Sequence, residues 1–497
     1  MLIHYTADHS GVSSTVPSCP TRSSASSGSS ELPPFDVRAS VFIDGTGNNL
    51  FNTDAASHGS GGEGSYQNSY SNVARLATNI RLTNSENNYH FSVYCEGMGT
   101  LNMEDDSTLL GQAFGMGDTG IPARVSTVIS HLRNRIGSLS NGNRRIGNLK
   151  IDAFGFSRGA AAARHFVYRV LESESRFAAS GDDVSGVDIS IYSLIHQLTD
   201  ADDGNFTISD YKLPFIGLFD TVASYGGNHE NDTRDLHLDA IRAGEVERVI
   251  HLASGDEHRY NFPLTDIHSA GGKGRQTFLP GVHSDIGGGY NESTNGNMKE
   301  DNLVVFEMED RPHSVDYMNR LYERLNRVKD NLISLGWYKI YPLVEIRPGD
   351  QRNELVVAYN QLKASRVHIS NRYSWVPLHI MSEKAVEKQL HFDLSDFPLS
   401  TDPFLVQIKS LVENNRHDEQ HWIASVDPQI QRLRHNYCHF SSHFTPSHSI
   451  LWPMKPQLHS MRVGWIRGLL GGEPEDCWDS DEDNYFSGVR RRRVHQG

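Results

Sequence analysis

The sequence predicts an α/β fold, with a mostly parallel central sheet flanked by helices and a largely helical C-terminal region that inserts into or caps it. Three observations carry this. Short apolar runs of strand length recur at Val37–Ile43, Tyr89–Tyr94, Leu149–Phe154, Pro214–Phe219 and Thr277–Leu279. Helical periodicity falls between them, as in strands joined by crossover helices. Each run also ends in a glycine-containing or polar loop, the place where open α/β sheets bind ligands.

Size and composition bound the rest. The chain has 497 residues, 37% of them apolar, which leaves room for more than one region, since single cores rarely grow beyond about 250–300 residues. No stretch approaches the roughly 18 uninterrupted apolar residues of a membrane span. The 46 basic and 61 acidic residues give a net charge of -15, which argues against a nucleic acid partner. Cys19, Cys95, Cys438 and Cys477 form no C-x-x-C pair, so reduced thiols are expected. The opening Met1-Leu-Ile-His-Tyr lacks a basic segment followed by an apolar one, so export by a cleaved signal peptide is not expected.

Residues 1–35 are rich in Ser, Pro, Gly and Thr and read as a flexible arm. The strand Val37–Ile43 runs into Asp44-Gly-Thr-Gly-Asn-Asn49, a loop without the G-K-[ST] ending of a P-loop. Its amides suit an anion or one half of an oxyanion hole, and a plain tight turn is the alternative. Residues 55–70 read as a Gly/Ser-rich loop, and Tyr89–Tyr94 as a strand ending in Glu96-Gly-Met-Gly-Thr100. Ile121, Val125, Val128, Ile129, Leu132 and Ile136 recur at the spacing of an amphipathic helix.

The next stretch, Leu149–Glu172, organises the chain. An alternating apolar run meets Gly155-Phe-Ser-Arg-Gly159, and an alanine-rich segment of high helix propensity follows at once. This is the strand, sharp turn and helix of a nucleophile elbow, in which small neighbours let a serine Oγ project above the sheet. The helix N-terminus behind it favours negative charge developing on a substrate oxygen.

Pro214–Phe219 is an apolar run of the kind that forms a buried central strand, with Asp220 at its end, and Thr277–Leu279 leads through a turn to His283. Ser157, Asp220 and His283 therefore follow three strands in the order nucleophile, acid, base found in α/β-hydrolases. Serine needs a base to become a nucleophile, and a carboxylate orients the imidazole. Oxyanion donors would be the amide of Arg158 and one from Gly45 or Thr46. Asp285 is a rival acid and His439 a rival base. No H-E-x-x-H occurs and the histidines of 435–448 lack acidic partners at ligand spacing, so neither a catalytic metal nor another cofactor is expected.

Beyond about residue 295, Val315, Met318, Leu321, Leu325, Val328 and Leu332 form a helical stripe between Ser314 as N-cap and Gly336 as stop. The division read from the sequence is thus an arm at 1–35, a catalytic domain at 36–295 and a mostly helical cap or platform at 296–434. A segment at 435–472 packs on the catalytic domain or a membrane, and 473–497 is a charged, disordered tail. Trp465 and Leu469, with Arg462, Arg467 and the Arg490–Arg493 run nearby, suit contact with lipid headgroups, and a core helix followed by a solvated tail is the alternative.

Five motifs in order, Asp44-Gly-Thr-Gly-Asn, Tyr94-Cys-Glu-Gly-Met-Gly-Thr, Gly155-Phe-Ser-Arg-Gly-Ala, Gly217-Leu-Phe-Asp-Thr-Val and Pro280-Gly-Val-His-Ser-Asp-Ile-Gly-Gly-Gly-Tyr, closely resemble the catalytic domain of the type VI secretion phospholipase effectors. The resemblance spans about 37–295, with a weaker echo at His435–His448. It implies a serine α/β-hydrolase acting on membrane glycerophospholipids, with nucleophile, acid and base on Ser157, Asp220 and His283. It further implies carriage by a secretion spike component into the periplasm of a rival bacterium, without a signal peptide, and a cognate immunity protein in the producer. Leu252-Ala-Ser-Gly-Asp-Glu-His-Arg259 matches the family pattern only loosely, which leaves the roles of Asp256 and Arg259 open. Two other readings stand beside an A-type phospholipase: a carboxylesterase with a soluble substrate, and a hydrolase-fold binding protein without turnover.

Overall fold

The computed structural model describes residues 32–292 except 60–63, 105, 107–118, 141, 172–193, 200–205, 225–234 and 260. It also describes 303–307, parts of 323–338, 354–358, 361–366, 369–414, 422–441 and, near the end of the chain, Arg492, Val494 and His495. The arm up to residue 31, most of the stripe Val315–Leu332, Trp465, Leu469 and the acidic run 473–483 lie outside the described residues.

In chain order the strands are β1 (Phe35–Ile43), β2 (Asn88–Cys95), β3 (Arg145–Phe156), β4 (Thr207–Lys212), β5 (Ile216–Phe219), β6 (Val249–Ser254), β7 (Leu264–Thr265) and β8 (Gly274–Leu279). Seven of them form one sheet in the order β2-β1-β3-β5-β6-β8, with β4 beside the first half of β3. Every pairing in it is parallel. Ile43 lies beside Cys95 and Gly155, Phe156 beside Phe219, and Ser254 beside Leu279. The loops after these strands therefore emerge together along one edge.

Side-chain alternation divides the core. Val37, Ala39, Val41 and Ile43 of β1 and Leu149, Ile151 and Ala153 of β3 face a cluster completed by helices Ile121–Leu139 and Arg158–Leu171. Phe42, Phe154 and Phe156 point the other way. They meet helices Asn72–Asn79, Trp375–Val386 and Pro403–Asn414, through residues such as Ala74, Val376, Met381 and Phe404. The period of two along a strand thus feeds two helical layers, and residues beyond 295 supply much of one of them. That region also holds a three-stranded antiparallel sheet of β9 (Leu303–Glu307), β10 (Glu354–Ala358) and β11 (Gln361–Ser365). Residues 55–57, read as the start of a loop, instead end a helix over Leu50–Ser57, which forms because the Asn49 side chain caps it, accepting from the amides of Phe51 and Asn52.

The end of the chain departs from the reading of a solvated tail. Val494 and His495 form β12, which pairs in parallel with Leu264 and Thr265 of β7. Arg492 is buried, with Nε donating to the Phe262 carbonyl at 2.6 Å. A guanidinium enters an interior only where carboxylates and carbonyls meet it, and Arg492 finds both in the Phe262 carbonyl and the Asp220 carboxylate at the end of β5. It is therefore not available for lipid headgroups.

Candidate active site

Ser157 occupies the turn between β3 and helix Arg158–Leu171 at φ 58°, a left-handed conformation that costs a non-glycine residue roughly 1–3 kcal/mol. Its backbone is fixed from several sides. Its amide donates to the Phe219 carbonyl at 3.0 Å, and its carbonyl accepts from Ala160 at 3.0 Å and Val222 at 3.3 Å. The flanking glycines are required by close approach. A Cβ on Gly155 would lie 2.2 Å from the Gly159 carbonyl oxygen, and one on Gly159 would lie 2.3 Å from the carbonyl oxygens of Ile43 and Asp44.

Asp220 follows β5 directly, at φ 44°. Because Phe156 and Phe219 are register partners, Ser157 and Asp220 leave adjacent strands side by side. The Asp220 carboxylate is fully buried. Its Oδ2 accepts from His283 Nδ1 at 2.5 Å and Ser254 Oγ at 2.9 Å, and its Oδ1 from the Ser254 amide at 2.8 Å and Arg492 Nη1 at 2.5 Å. Burial alone would raise its pKa. The Arg492 guanidinium, then the hydrogen bond and charge of His283, overcome that and hold the carboxyl well below the usual range.

His283 opens the short helix His283–Gly287. Its ring packs 4.6 Å from that of Phe156, the residue before Ser157, and 5.0 Å from that of Phe262. An ionised carboxylate only accepts, so Nδ1 is the donor to Asp220 and the neutral ring carries its lone pair on Nε2. Burial pushes the His283 pKa down, Asp220 pulls it back, and Arg259 and Arg492 act with burial.

Asp256 and Arg259, whose roles the sequence left open, brace this loop together with Glu257. Asp256 accepts from the Gly281 amide at 2.7 Å and from Arg434 Nη2 at 2.7 Å. Glu257 accepts from Arg259 Nη2 at 2.8 Å and from the His283 amide at 3.2 Å. The rivals Asp285 and His439 are partners of each other. His439 Nδ1 lies 2.8 Å from Asp285 Oδ1, and Tyr290 stacks on the His439 ring at 3.8 Å.

The loop after β1 abuts the elbow, since a Cβ on Gly45 would lie 2.5 Å from the Phe156 ring. The Gly45 amide, expected as an oxyanion donor, is turned to Asp44 Oδ1 at 2.7 Å. Asp44 also accepts from the Tyr94 hydroxyl at 2.7 Å. Thr46 Oγ1 is buried with no hydrogen-bond partner among the described residues. The Arg158 amide begins the helix behind Ser157.

Ser254 and Arg492 were missed by the sequence reading. Ser254 lies in the unrecognised strand β6, and Arg492 in a segment read as solvated. The signal that existed was local: V-I-H-L-A-S is a short apolar run interrupted by one histidine.

No curated protein sequence matches the chain. Among solved structures, one described as the Tle1 effector bound to the VgrG spike from the type 6 secretion system overlaps with a TM-score of 0.51 at 20% identity, covering 82% of this chain and 85% of that one. Another, described as an uncharacterized protein from Pseudomonas aeruginosa, gives a TM-score of 0.38 at 17% identity, covering 80% and 52%. A family model described as the catalytic domain of Tle1-like phospholipase effectors of type VI secretion matches residues 38–309, more than half of the chain. The chain belongs to the Tle1-like phospholipase effector family of type VI secretion.

Proposed function

We propose that this chain is a serine phospholipase of the A type that cleaves acyl esters of membrane glycerophospholipids through an acyl-Ser157 intermediate. The observation that carries the reading is the 2.5 Å bond from His283 to Asp220, held beside the left-handed elbow that presents Ser157. Ser157 Oγ attacks the ester carbonyl and its proton passes to His283 Nε2. The imidazolium so formed is stabilised by Asp220. The Arg158 amide and the unpartnered Thr46 hydroxyl, at the loop abutting the elbow, are the donors for the oxyanion. The protonated imidazole then gives its proton to the departing lysophospholipid oxygen. Water, deprotonated by the same ring, releases the fatty acid and restores the serine.

The family match supports an effector role, and the solved Tle1–VgrG complex, a related fold, supports a spike component as carrier. We infer delivery into the periplasm of a rival bacterium and an immunity protein in the producer. Release of fatty acid and lysophospholipid from phosphatidylethanolamine/phosphatidylglycerol vesicles tests the chemistry. The parent chain should give both products and Ser157→Ala neither, with unchanged folding. Product from Ser157→Ala at the parent rate would overturn the serine mechanism. Equal rates on vesicles and on a soluble ester would point to a carboxylesterase.

A further inference from the structure

We propose that Arg492, from the last six residues of the chain, is a positioning residue that completes the catalytic acid. The inference rests on the reading of Ser157, Asp220 and His283 given above. Arg492 donates through Nη1 to Asp220 Oδ1 at 2.5 Å and to Ser254 Oγ at 3.0 Å, and through Nε to the Phe262 carbonyl at 2.6 Å. Phe262 in turn packs edge-on against the His283 ring. The segment is tied down beyond it by the pairing of Val494–His495 with Leu264–Thr265, by the Asp266 amide donating to the His495 carbonyl at 2.9 Å, and by the Thr265 amide donating to the Thr221 carbonyl at 3.0 Å. The chain end therefore reaches the acid through one layer of backbone.

A carboxylate that must face an imidazole needs its other oxygen fixed. On Asp220 that oxygen is Oδ1, and its donors are the Ser254 amide and Arg492. The amide supplies a direction, and among the described residues Arg492 alone supplies a full charge to that oxygen. The cation has two effects of opposite sign. It holds Asp220 ionised and oriented, and it raises the cost of forming the imidazolium on His283. Among the described residues, the charged groups around His283 are Asp220, Glu257, Arg259 and Arg492, with Asp285 two residues further on and engaged by His439. Removing Arg492 thus takes one cation from a set of two cations and two anions.

The test compares Arg492→Ala, Arg492→Lys and Ser157→Ala in the full chain, reading kcat on the same vesicles, the pH profile of kcat/KM and the melting temperature. Arg492→Ala should lower kcat by about 10- to 100-fold, short of the ~10⁴-fold that follows loss of the correct imidazole tautomer. Its acidic limb, which reports the free base, should move to higher pH by about one unit, because a cation beside the imidazole has gone. Arg492→Lys keeps the charge, so its limb should stay near the parent's and kcat should recover in part. A limb that stays put in Arg492→Ala would overturn the proposal, as would equal losses in Ala and Lys variants that track a lowered melting temperature, which is the signature of a merely structural strap. A gain in turnover would overturn it in favour of a plug. Activity surviving in Ser157→Ala is a different failure, that of the serine mechanism itself.

Discussion

Asp44 and Asp220 are both fully buried carboxylates at strand ends, and their partners push them in opposite directions. Asp220 meets two cationic or ionisable donors, Arg492 and His283, and stays ionised. The groups on Asp44 are neutral, Ser71, Tyr94 and the Gly45 amide, so burial dominates and its pKa rises from the ordinary 3.8 to about 6. The folded state therefore binds this proton more tightly than the unfolded chain. Its stabilising contribution is complete below the ordinary value and is lost as pH rises through the folded one, between about 4 and about 6. The loss is about 3 kcal/mol at most. Asp44→Asn resembles the protonated form and should remove this dependence, so the parent should lose melting temperature relative to the variant as pH rises across that window. An equal gap at about pH 4 and about pH 7 would contradict it. Ser157, Asp220 and His283 were legible because each follows an apolar run, which is information local in sequence. Ser254, Glu257 and Arg492 were not. Their roles depend on which strand lies beside which, and Arg492 meets Asp220 across 272 positions of chain.

Among the elements, the elbow depends most narrowly on side-chain size. A methyl on Gly159 would meet the backbone oxygens of Ile43 and Asp44 at 2.3 Å, and neither strand end can yield without moving β1. Gly159→Ala should therefore destabilise the fold and displace Ser157, with loss of activity exceeding the loss of folded protein. Gly137, inside helix Ile121–Leu139, has nothing within 4 Å of an added Cβ. Gly137→Ala should stabilise by roughly 0.5–1 kcal/mol at unchanged activity. Thermal melts and vesicle assays on the two variants check both, and a stable, active Gly159→Ala would refute the packing argument. The same scale explains which elements the sequence revealed. β1, β2, β3 and β5 and the two long helices beside them carry uninterrupted period-two, apolar or period-3.6 patterns. β6 hid because His251 occupies its centre. That ring is fully buried and neutral, its Nε2 accepting from the Thr221 amide at 3.0 Å and its Nδ1 lying 2.8 Å from Gln276 Oε1, partners found only in the folded sheet.

At the scale of the whole molecule, the candidate catalytic edge is held by residues far beyond the first 309. Asp256, which anchors Gly281 ahead of His283, is paired with Arg434, and Glu257, which accepts from the His283 amide, also accepts from Ser441 Oγ. The aromatic face of the sheet, Phe42, Phe154 and Phe215, is covered by Val376, Leu378, Met381 and Phe404. Each such side chain contributes about 1.5–3 kcal/mol when fully buried, and a domain has only about 5–15 kcal/mol of net stability. Uncovering that face should exceed what the remaining core can offset. A fragment ending at residue 309, the limit of the family match, should therefore lack a cooperative thermal transition, bind a hydrophobic dye and release no fatty acid. A fragment that melts cooperatively and hydrolyses lipid would make residues beyond 309 a detachable cap. The full-length result, in contrast, should show one transition shared by the elbow and the C-terminal helices, because Arg434 and Arg492 are bound from the far end of the chain to the same loops that hold His283 and Asp220.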